Sequence, residues 1–182
     1  YSAYVQDSIT LGNFLVDVGL RGDTYYGLTA DSGASPRVGL AYHVKKTGTV
    51  LRLAYSRTFE TPFNENLLLS SATGVGGLAE NIFGASSAPP LPTGHRNQFN
   101  SGFQQALGKW ILIDADYFWK FTDNAYDFST LQNTTITFPI SWRKSKLDGV
   151  TGRVSTANLH GFQAYWTFGH TRARYFPDQT GG

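Results

Sequence analysis

Cysteine and long apolar runs are both absent from this 182-residue chain. The lack of cysteine excludes disulfides, thiolate metal sites and a cysteine nucleophile. Because no run reaches about 18 apolar residues, we expect no transmembrane helix. The net charge of +2 is too small to indicate a nucleic-acid partner. The low mean hydropathy still allows a membrane barrel, because only alternate residues of such strands meet lipid.

Aromatic residues and glycine are plentiful, and they favour strands and turns over helices. Apolar and polar residues alternate with the period of a β-strand over eight segments. The clearest is "KWILIDADYFWKF", in which Ile111 and Ile113 lie on one face and Asp114 and Asp116 on the other. Residues 143–155 alternate least clearly. We predict strands at 1–10, 13–22, 35–45, 49–60, 96–107, 109–122, 143–155 and 159–175.

The connections between these segments alternate between short and long. Tight turns such as "KKTG" follow the odd-numbered strands, whereas the connections at 23–34, 61–95 and 123–142 are long. In an up-and-down antiparallel sheet this order sorts all short turns to one side and all long loops to the other. Outer-membrane barrels have this layout, and a Greek-key sandwich has no reason for it. Several predicted strands also reach the length of about 9–11 residues that a tilted membrane strand needs. We therefore predict an all-β fold, an antiparallel up-and-down membrane β-barrel of about eight strands.

Four short motifs occur in order, at hairpin spacing, in the first third of the chain. They are "QD" at 6–7, "GLRGD" at 19–23, "SPR" at 35–37, and the spaced set Arg52, Tyr55, Phe59 and Pro62. Together they resemble the barrel of TonB-dependent outer-membrane receptors, most closely large receptors with a carboxypeptidase-regulatory-like front domain. The later segment "NQFNSGFQQALGKWILIDADYFWKFTDNAYDF" is similar to the same barrel continuing.

The resemblance implies a barrel of usually about 22 strands in the bacterial outer membrane, closed by an N-terminal plug. It implies uptake of a siderophore, a carbohydrate or a similar nutrient, driven by the TonB complex, without a cofactor and without enzymatic activity. Tyr1 opens inside a predicted strand, and no plug, TonB box or terminal aromatic strand is recognised. We therefore interpret 1–182 as a partial receptor barrel, an arc of a larger barrel, with a long outer loop at 61–95. Closure into its own small barrel is the alternative.

Charged residues on the polar sides of the strands are expected to face the barrel interior. The reason is that an Arg or Lys facing lipid at mid-depth costs about 2–4 kcal/mol. They would contact substrate or plug, or else form an ion-pair network that stabilises the wall. Asp114 and Asp116 share one face. They could form a metal-binding or acid–base pair, or they could belong to a solvated barrel wall near Lys120. The predicted interior residues are Asp17, Arg21, Arg37, His43, Arg52, Asp114, Asp116 and Lys120.

Aromatic residues lie among Asn, Asp and Thr in the predicted outer loops. Such surfaces suit carbohydrate or siderophore recognition, or they pack loop against loop. The residues are Tyr25, Tyr26, Tyr126, Phe128, Phe138 and Trp142. The basic stretch "WRKSK" at 142–146 would meet anionic lipid head groups at an outer rim, or it is simply solvated.

Two other classes of function compete with a transport receptor. A soluble β-sandwich that binds carbohydrate would hold the aromatic residues in its core and the site in its loops. An outer-membrane barrel hydrolase would place catalytic groups at the rim. However, the four histidines lie on different elements, and no G-x-S-x-G sequence occurs. We therefore nominate no catalytic residue and no metal ligand.

Overall fold

The computed structural model describes residues 1–27, 30–62, 91–130, 135, 137–158 and 161–180. No helix long and apolar enough to span a membrane occurs within these ranges. The chain forms β-strands instead, as expected from its alternation and its content of aromatic residues. In chain order they are β1 (Ser2–Leu11), β2 (Phe14–Tyr26), β3 (Ala30–Val44), β4 (Thr49–Glu60), β5 (Gly94–Leu107), β6 (Ile111–Thr130), β7 (Thr137–Thr156) and β8 (Tyr165–Thr180).

All the strands belong to one antiparallel sheet whose order is the order of the chain, from β1 to β8. Each strand pairs with its chain neighbours, so no connection crosses over another strand. Among the described residues β1 and β8 do not pair with each other, and the sheet is open. The predicted all-β, up-and-down antiparallel architecture is therefore confirmed.

Residues directly opposite each other on neighbouring strands have their side chains on the same face of the sheet. The pairing register therefore extends the alternation seen within each strand to the whole sheet. We call one side the polar face and the other the apolar face. One row of the polar face is Asp17, Gly39, Ala54, Asn100, Phe118 and Gly149. The adjacent row on the apolar face is Val18, Val38, Tyr55, Phe99, Trp119, Asp148 and Arg172.

Large hydrophobic side chains on the apolar face remain exposed. Leu53 is 55% exposed and Trp166 is 62% exposed. The buried hydrophobic residues within the described ranges are only Leu91, Ala125 and Ile140. An uncovered apolar surface of this extent is unusual for a soluble monomer, and it marks contact with lipid or with a partner. The soluble sandwich alternative is therefore wrong, because no second sheet covers this face in the described part of the chain.

The predicted sorting of short and long connections holds only in part, and several predicted bounds are wrong. The short-turn end carries 12–13, 45–48 and 108–110 but also the longer 157–164, and the long-loop end carries 61–93 and 131–136 but also the tight connection 27–29. The predicted long connections at 23–34 and 123–142 are mostly strand. β8 begins at Tyr165 rather than at 159, so Phe162 precedes the strand. Of the predicted loop 61–95, residues 63–90 lie outside the described residues.

The underestimated strands have a physical explanation. β6 and β7 each run for 20 residues, and their pairing continues to Thr130 opposite Thr137. In this extension polar residues occur on both faces, as in "TDNAYDFST". The backbone ladder continues there without the two-residue hydrophobic period from which a strand is predicted.

Aromatic rings on the apolar face gather toward the long-loop end of the exposed hydrophobic surface. Tyr55, Phe99 and Trp119 share one row, and Phe121 lies in the next row. The ring centroids are 4.9 Å apart for Tyr55 and Phe99, and 6.4 Å apart for Phe99 and Phe121. We call these four residues the aromatic belt. Belts of this kind are typical of strands where they leave the hydrocarbon core of a membrane.

Candidate functional site

A charge cluster occupies the middle of the polar face across β4, β5 and β6. Arg52 Nη2 donates hydrogen bonds to Asp114 Oδ1 at 2.8 Å and to Asp116 Oδ2 at 2.9 Å. Gln104 Nε2 donates to Asp114 Oδ2 at 3.0 Å. All of these side chains are partly exposed. One guanidinium thus holds two carboxylates, and the cluster has an excess of negative charge.

Gly102 makes this cluster sterically possible. It lies on β5 between Arg52 on β4 and Asp116 on β6, directly opposite both. A Cβ atom at this position would lie 1.9 Å from Asp116 Oδ1 and 2.9 Å from the Ala115 carbonyl oxygen. Because Gly102 has no side chain, the long arginine reaches across β5 to both carboxylates.

Every predicted interior residue lies on the polar face by its register. These residues are Asp17, Arg21, Arg37, His43, Arg52, Asp114, Asp116 and Lys120. The structure brings only Arg52, Asp114 and Asp116 into direct contact with one another. Their shared face is a finding, whereas contact with substrate or plug stays a prediction.

The other predicted interior residues lie elsewhere on the polar face, and some of them have partners of their own. Arg21 forms an ion pair with Asp23 at 2.8 Å. Asp17 accepts a hydrogen bond from the Ser8 hydroxyl on β1. His43 lies near the short-turn end, opposite Val50. The polar face is therefore a series of local polar contacts rather than one network.

A cavity of about 520 Å³ opens on the polar face near the long-loop end. Arg96 and Glu60, on its wall, form a salt bridge of 2.6 Å. The Lys120 ammonium lies 5.4 Å from the centroid of the Phe118 ring. Residues lining the cavity include Glu60, Arg96, Lys120, Tyr126, Leu147 and Tyr175. The cavity therefore combines cations, a carboxylate and aromatic rings.

Tyr126 closes one side of this cavity, beyond the aromatic belt and outside the apolar band of β6. Its hydroxyl donates a hydrogen bond of 2.6 Å to the Pro92 carbonyl oxygen. Burial raises the pKa of the Tyr126 phenol well above its usual value, and the nearby Glu60 carboxylate adds to the shift. Tyr126 thus joins β6 to the chain that enters β5, and its hydroxyl stays protonated.

A second polar-face cavity of about 450 Å³ lies beside β2 and β3. Its lining brings together two predicted interior residues, Arg21 and Arg37, with the predicted recognition residue Tyr25. Asp23 and Thr58 complete its polar wall. This grouping joins residues that the sequence analysis assigned to separate sets.

The aromatic residues predicted in outer loops lie in strands, which corrects that placement. Tyr25 and Tyr26 end β2, Tyr126 and Phe128 belong to β6, and Trp142 belongs to β7. The side chain of Phe138 lies outside the described residues. The strands extend further than their hydrophobic period, so polar strand ends were taken for loops. A recognition role for these residues stays a prediction.

Sequence reasoning missed a second charge cluster, which lies on the apolar face. Asp148 on β7 is only 5% exposed and accepts hydrogen bonds from Arg172 and Arg174 of β8, at 3.1 and 3.0 Å. The sequence analysis assigned to the interior only the charges on the polar sides of the strands, and this cluster was not among them. A signal was present, because Asp148 has the same parity as the apolar Val150 and Val154 of its strand.

No group of three or more His, Asp or Glu side chains is arranged to hold a metal ion within the described ranges. The pair Asp114 and Asp116, which the sequence offered as one alternative for a metal or for acid–base chemistry, is bound by Arg52. The arrangement fits an ion pair that fastens β4 to β6 across β5.

Residues 1–181 match the family described as "TonB dependent receptor-like, beta-barrel". None of the curated proteins compared with the chain is significantly similar to it. Similar solved structures include the FrpB iron transporter from Neisseria meningitidis. Its F5-1 variant has a TM-score of 0.70 at 17% identity, and its F3-3 variant 0.68 at 16%. An apoprotein form of the F5-1 variant gives 0.68 at 16%.

Those alignments cover 96% of this chain and 25–26% of FrpB. The chain thus spans about a quarter of the length of these transporters, and at such low identity the similarity shows the fold alone. The family match, in contrast, extends along almost the entire sequence. Together with the open up-and-down sheet and its two distinct faces, it shows that this chain belongs to the TonB-dependent receptor β-barrel family.

Proposed function

We propose that this chain forms part of the wall of a receptor that takes up a nutrient across the bacterial outer membrane with energy from the TonB complex. The polar face lines the interior of the barrel, and the apolar face meets lipid. One observation carries the proposal: the pairing register from β1 to β8, apart from a shift between Trp142 and Lys144, places the Arg52 cluster on one face and exposed hydrophobic residues such as Leu53 and Trp166 on the other.

The family to which the chain belongs resides in the bacterial outer membrane and consists of receptors and transporters rather than enzymes. Its strands suit a lipid environment, because backbone groups of neighbouring strands form hydrogen bonds with one another within the sheet. The aromatic belt marks one boundary of the hydrocarbon layer, and Trp110, 57% exposed at the short-turn end, lies near the other. From Trp110 to the belt residue Trp119 the chain covers ten residues, which agrees with the length of about 9–11 residues that a membrane strand needs.

The two edges of the sheet indicate a larger barrel. In lipid, the unpaired backbone groups of an open edge strand each cost several kcal/mol, on the order of an unsatisfied hydrogen bond. Since β1 and β8 do not pair with each other, further strands must cover both edges. Residues 1–182 are then an arc of a larger barrel, with the connection 61–93 as its long outer loop. The coverage of about a quarter of FrpB supports this.

The Arg52 cluster is suited to contact with a plug domain inside such a barrel. Its two carboxylates share one guanidinium, so they retain acceptor positions that face the interior. A basic or amide side chain of a plug would donate to them. The contact would break and reform as the TonB complex moves the plug.

The cavity at the long-loop end is suited to the ligand. Its volume of about 520 Å³ lies in the range of roughly 300–1,000 Å³ that is usual for small-molecule sites. Within the described residues no carboxylate pairs with Lys120, and the Tyr175 ring is 50% exposed. A cation beside aromatic rings recognises an anionic or hydroxyl-rich ligand, such as an iron–siderophore complex or a carbohydrate. Because FrpB is described as an iron transporter, iron complexes are the first ligands to test.

The barrel assignment is tested on the full-length receptor and on its gene. In detergent the full-length receptor should migrate differently in electrophoresis before and after boiling, and without detergent it should aggregate. The flanking coding sequence should contain a plug upstream and further strands downstream. A monomer of 1–182 that stays folded in plain buffer would show that the apolar face does not meet lipid.

The ligand assignment is tested by equilibrium binding to the full-length receptor. Lys120→Gln should weaken binding of an anionic iron–siderophore complex about tenfold, because one charge-assisted contact is lost. Lys45→Gln, in an exposed turn at the short-turn end, is the matched control and should bind normally. If oligosaccharides bind and iron complexes do not, the ligand is a carbohydrate. If Lys120→Gln binds both kinds of ligand as the parent does, the cavity is not the site.

A further inference from the structure

The two cavities on the polar face adjoin near the long-loop end. The larger, of about 520 Å³, includes Lys120, and the smaller, of about 450 Å³, includes Arg37. Thr61 lines both of them. Thr58, on the wall of the smaller cavity, lies directly opposite Arg96 on the wall of the larger one. The cavities are therefore neighbours across β4 and β5 and form one elongated depression.

Each cavity holds a cation without a carboxylate partner in the described part of the chain. Neither Arg37 in the smaller cavity nor Lys120 in the larger one forms an ion pair with a described residue. The cation between them differs, because Arg96 forms a salt bridge with Glu60. A guanidinium or ammonium group without a carboxylate partner is available for an anionic group of a ligand.

These two cations lie in one row of the polar face. Arg37 lies directly opposite Ser56. Gln98 on β5 lies between Ser56 and Lys120, directly opposite both. Three steps between neighbouring strands, each about 4.8 Å, separate the two cations by roughly 14 Å along the sheet. A ligand that contacts both of them is therefore elongated, and between them it meets a hydroxyl and an amide.

The unpaired positive charge is confined to the outer part of the polar face. The Arg52 cluster, with its excess of negative charge, lies toward the short-turn end. Four residues of β4 separate Arg52 from Ser56, which is about 13 Å along the strand. An anionic ligand is therefore attracted to the row of Arg37 and Lys120 and repelled from mid-depth.

Aromatic rings occur at both ends of the depression. Tyr25 lines the smaller cavity, and Tyr126 and Tyr175 line the larger one. Such rings stack against the faces of sugars, and hydroxyl and amide groups form hydrogen bonds with sugar hydroxyls. The half-buried side chains of Ser56 and Gln98 supply these polar groups between the two ends. The surface therefore combines two separated cations with groups that suit a hydroxyl-rich ligand.

We propose that the two cavities together bind one elongated acidic oligosaccharide. The carboxylate of one uronic acid unit pairs with Arg37, and the carboxylate of another pairs with Lys120. Ser56 and Gln98 form hydrogen bonds with the hydroxyls between them. This inference rests on the proposed function, since it names the ligand of the site at the long-loop end and extends that site into the smaller cavity. A compact iron complex, in contrast, would occupy only one cavity.

The test is equilibrium binding of galacturonic acid and its dimer, trimer and hexamer by the full-length receptor in detergent. Affinity should rise steeply at the length that first reaches both cations, because the second contact then forms within the complex. Arg37→Gln and Lys120→Gln should each weaken binding of the hexamer about tenfold, because each removes one charge-assisted contact. The control Lys45→Gln/Lys46→Gln removes two charges at the short-turn end and should bind as the parent does.

A further variant separates an elongated ligand from a compact one. Ser56→Asp places a carboxylate directly opposite Arg37, so it should abolish the gain in affinity with chain length. It should leave the binding of a compact iron complex at Lys120 unchanged.

The proposal is wrong if Arg37→Gln and Ser56→Asp bind the hexamer as the parent does, or if a neutral oligosaccharide of equal length binds as tightly. It is also wrong if a glutamate oligopeptide binds more tightly than the hexamer, because the ligand is then an acidic peptide. These outcomes leave the assignment of the larger cavity intact. That assignment fails separately, if Lys120→Gln binds every ligand as the parent does.

Discussion

Two charge clusters of inverted composition lie on opposite faces of this sheet. On the polar face one guanidinium, Arg52, holds the carboxylates of Asp114 and Asp116. On the apolar face one carboxylate, Asp148, holds the guanidinium groups of Arg172 and Arg174. The first cluster has an excess of negative charge and the second an excess of positive charge. Each therefore favours a partner of opposite sign from its own side of the wall.

The clusters also differ in depth, and the difference shows how position sets the cost of a charge. Arg52 lies three residues from the belt residue Tyr55 toward the short-turn end, whereas Asp148 lies in the row of the belt itself. At mid-depth a cation facing lipid costs about 2–4 kcal/mol, but near the interface the cost falls to about 0–1 kcal/mol. Charges at mid-depth are therefore tolerated on the polar face, and charges at the belt are tolerated on either face.

The largest loss of stability is expected from adding a side chain at Gly102, beside the polar-face cluster. Gly102→Val should lower the free energy of unfolding by about 2–3 kcal/mol, because its side chain overlaps the carboxylate of Asp116 and the neighbouring strand. The measurement is urea-induced unfolding of the full-length receptor in detergent. Gly152→Val is the control, since the nearest atom to an added Cβ there lies 3.9 Å away. Equal losses for both variants would mean that the tight contact at Gly102 has no special importance.

A smaller effect is expected from removing the central ion of the polar-face cluster. Arg52→Ala should lower the free energy of unfolding by about 1–2 kcal/mol, because two partly exposed carboxylates lose their shared partner and repel each other. Arg172→Ala should have a smaller effect, because Asp148 keeps Arg174 and Tyr117 as donors. The same unfolding measurement compares the two variants. If Arg172→Ala lowers the free energy of unfolding more than Arg52→Ala does, the number of partners that each cluster keeps does not determine the loss of stability.

The smallest effect concerns sensitivity to lipid and distinguishes the two faces. Asp148→Asn leaves Arg172 and Arg174 without their carboxylate, so the thermal midpoint should depend more strongly on anionic lipid than in the parent. Asp114→Asn should show no such dependence, because its cluster faces the interior and Arg52 keeps Asp116. The check is the difference in midpoint between vesicles with and without phosphatidylglycerol, an anionic lipid. An Asp148→Asn receptor as insensitive as Asp114→Asn would contradict a lipid-facing cluster.

Much of the fold and part of the candidate site follow from the sequence. The alternation in β2, β4 and β6 predicts antiparallel strands with two different faces, and it places residues such as Asp114 on the polar side. The predicted sorting of turn lengths holds only in part, because 27–29 is short and 157–164 is longer. The extended outer parts of β6 and β7 were missed, because polar residues there occupy both faces. Asp148 was missed because its segment shows no clear face, and the parity of one charged residue is weak information.

The sequence by itself determined which residues alternate along each strand and which family the motifs resemble. It could do so because a two-residue period acts within a single strand. Only the tertiary structure decided which side chains of different strands come into contact. Gly102 lies between Arg52 and Asp116, and Asp148 lies beside Trp119 and Arg172, because seven pairing registers hold in succession. A shift of one residue in any of them would turn the neighbouring strands over and place these charges on opposite faces.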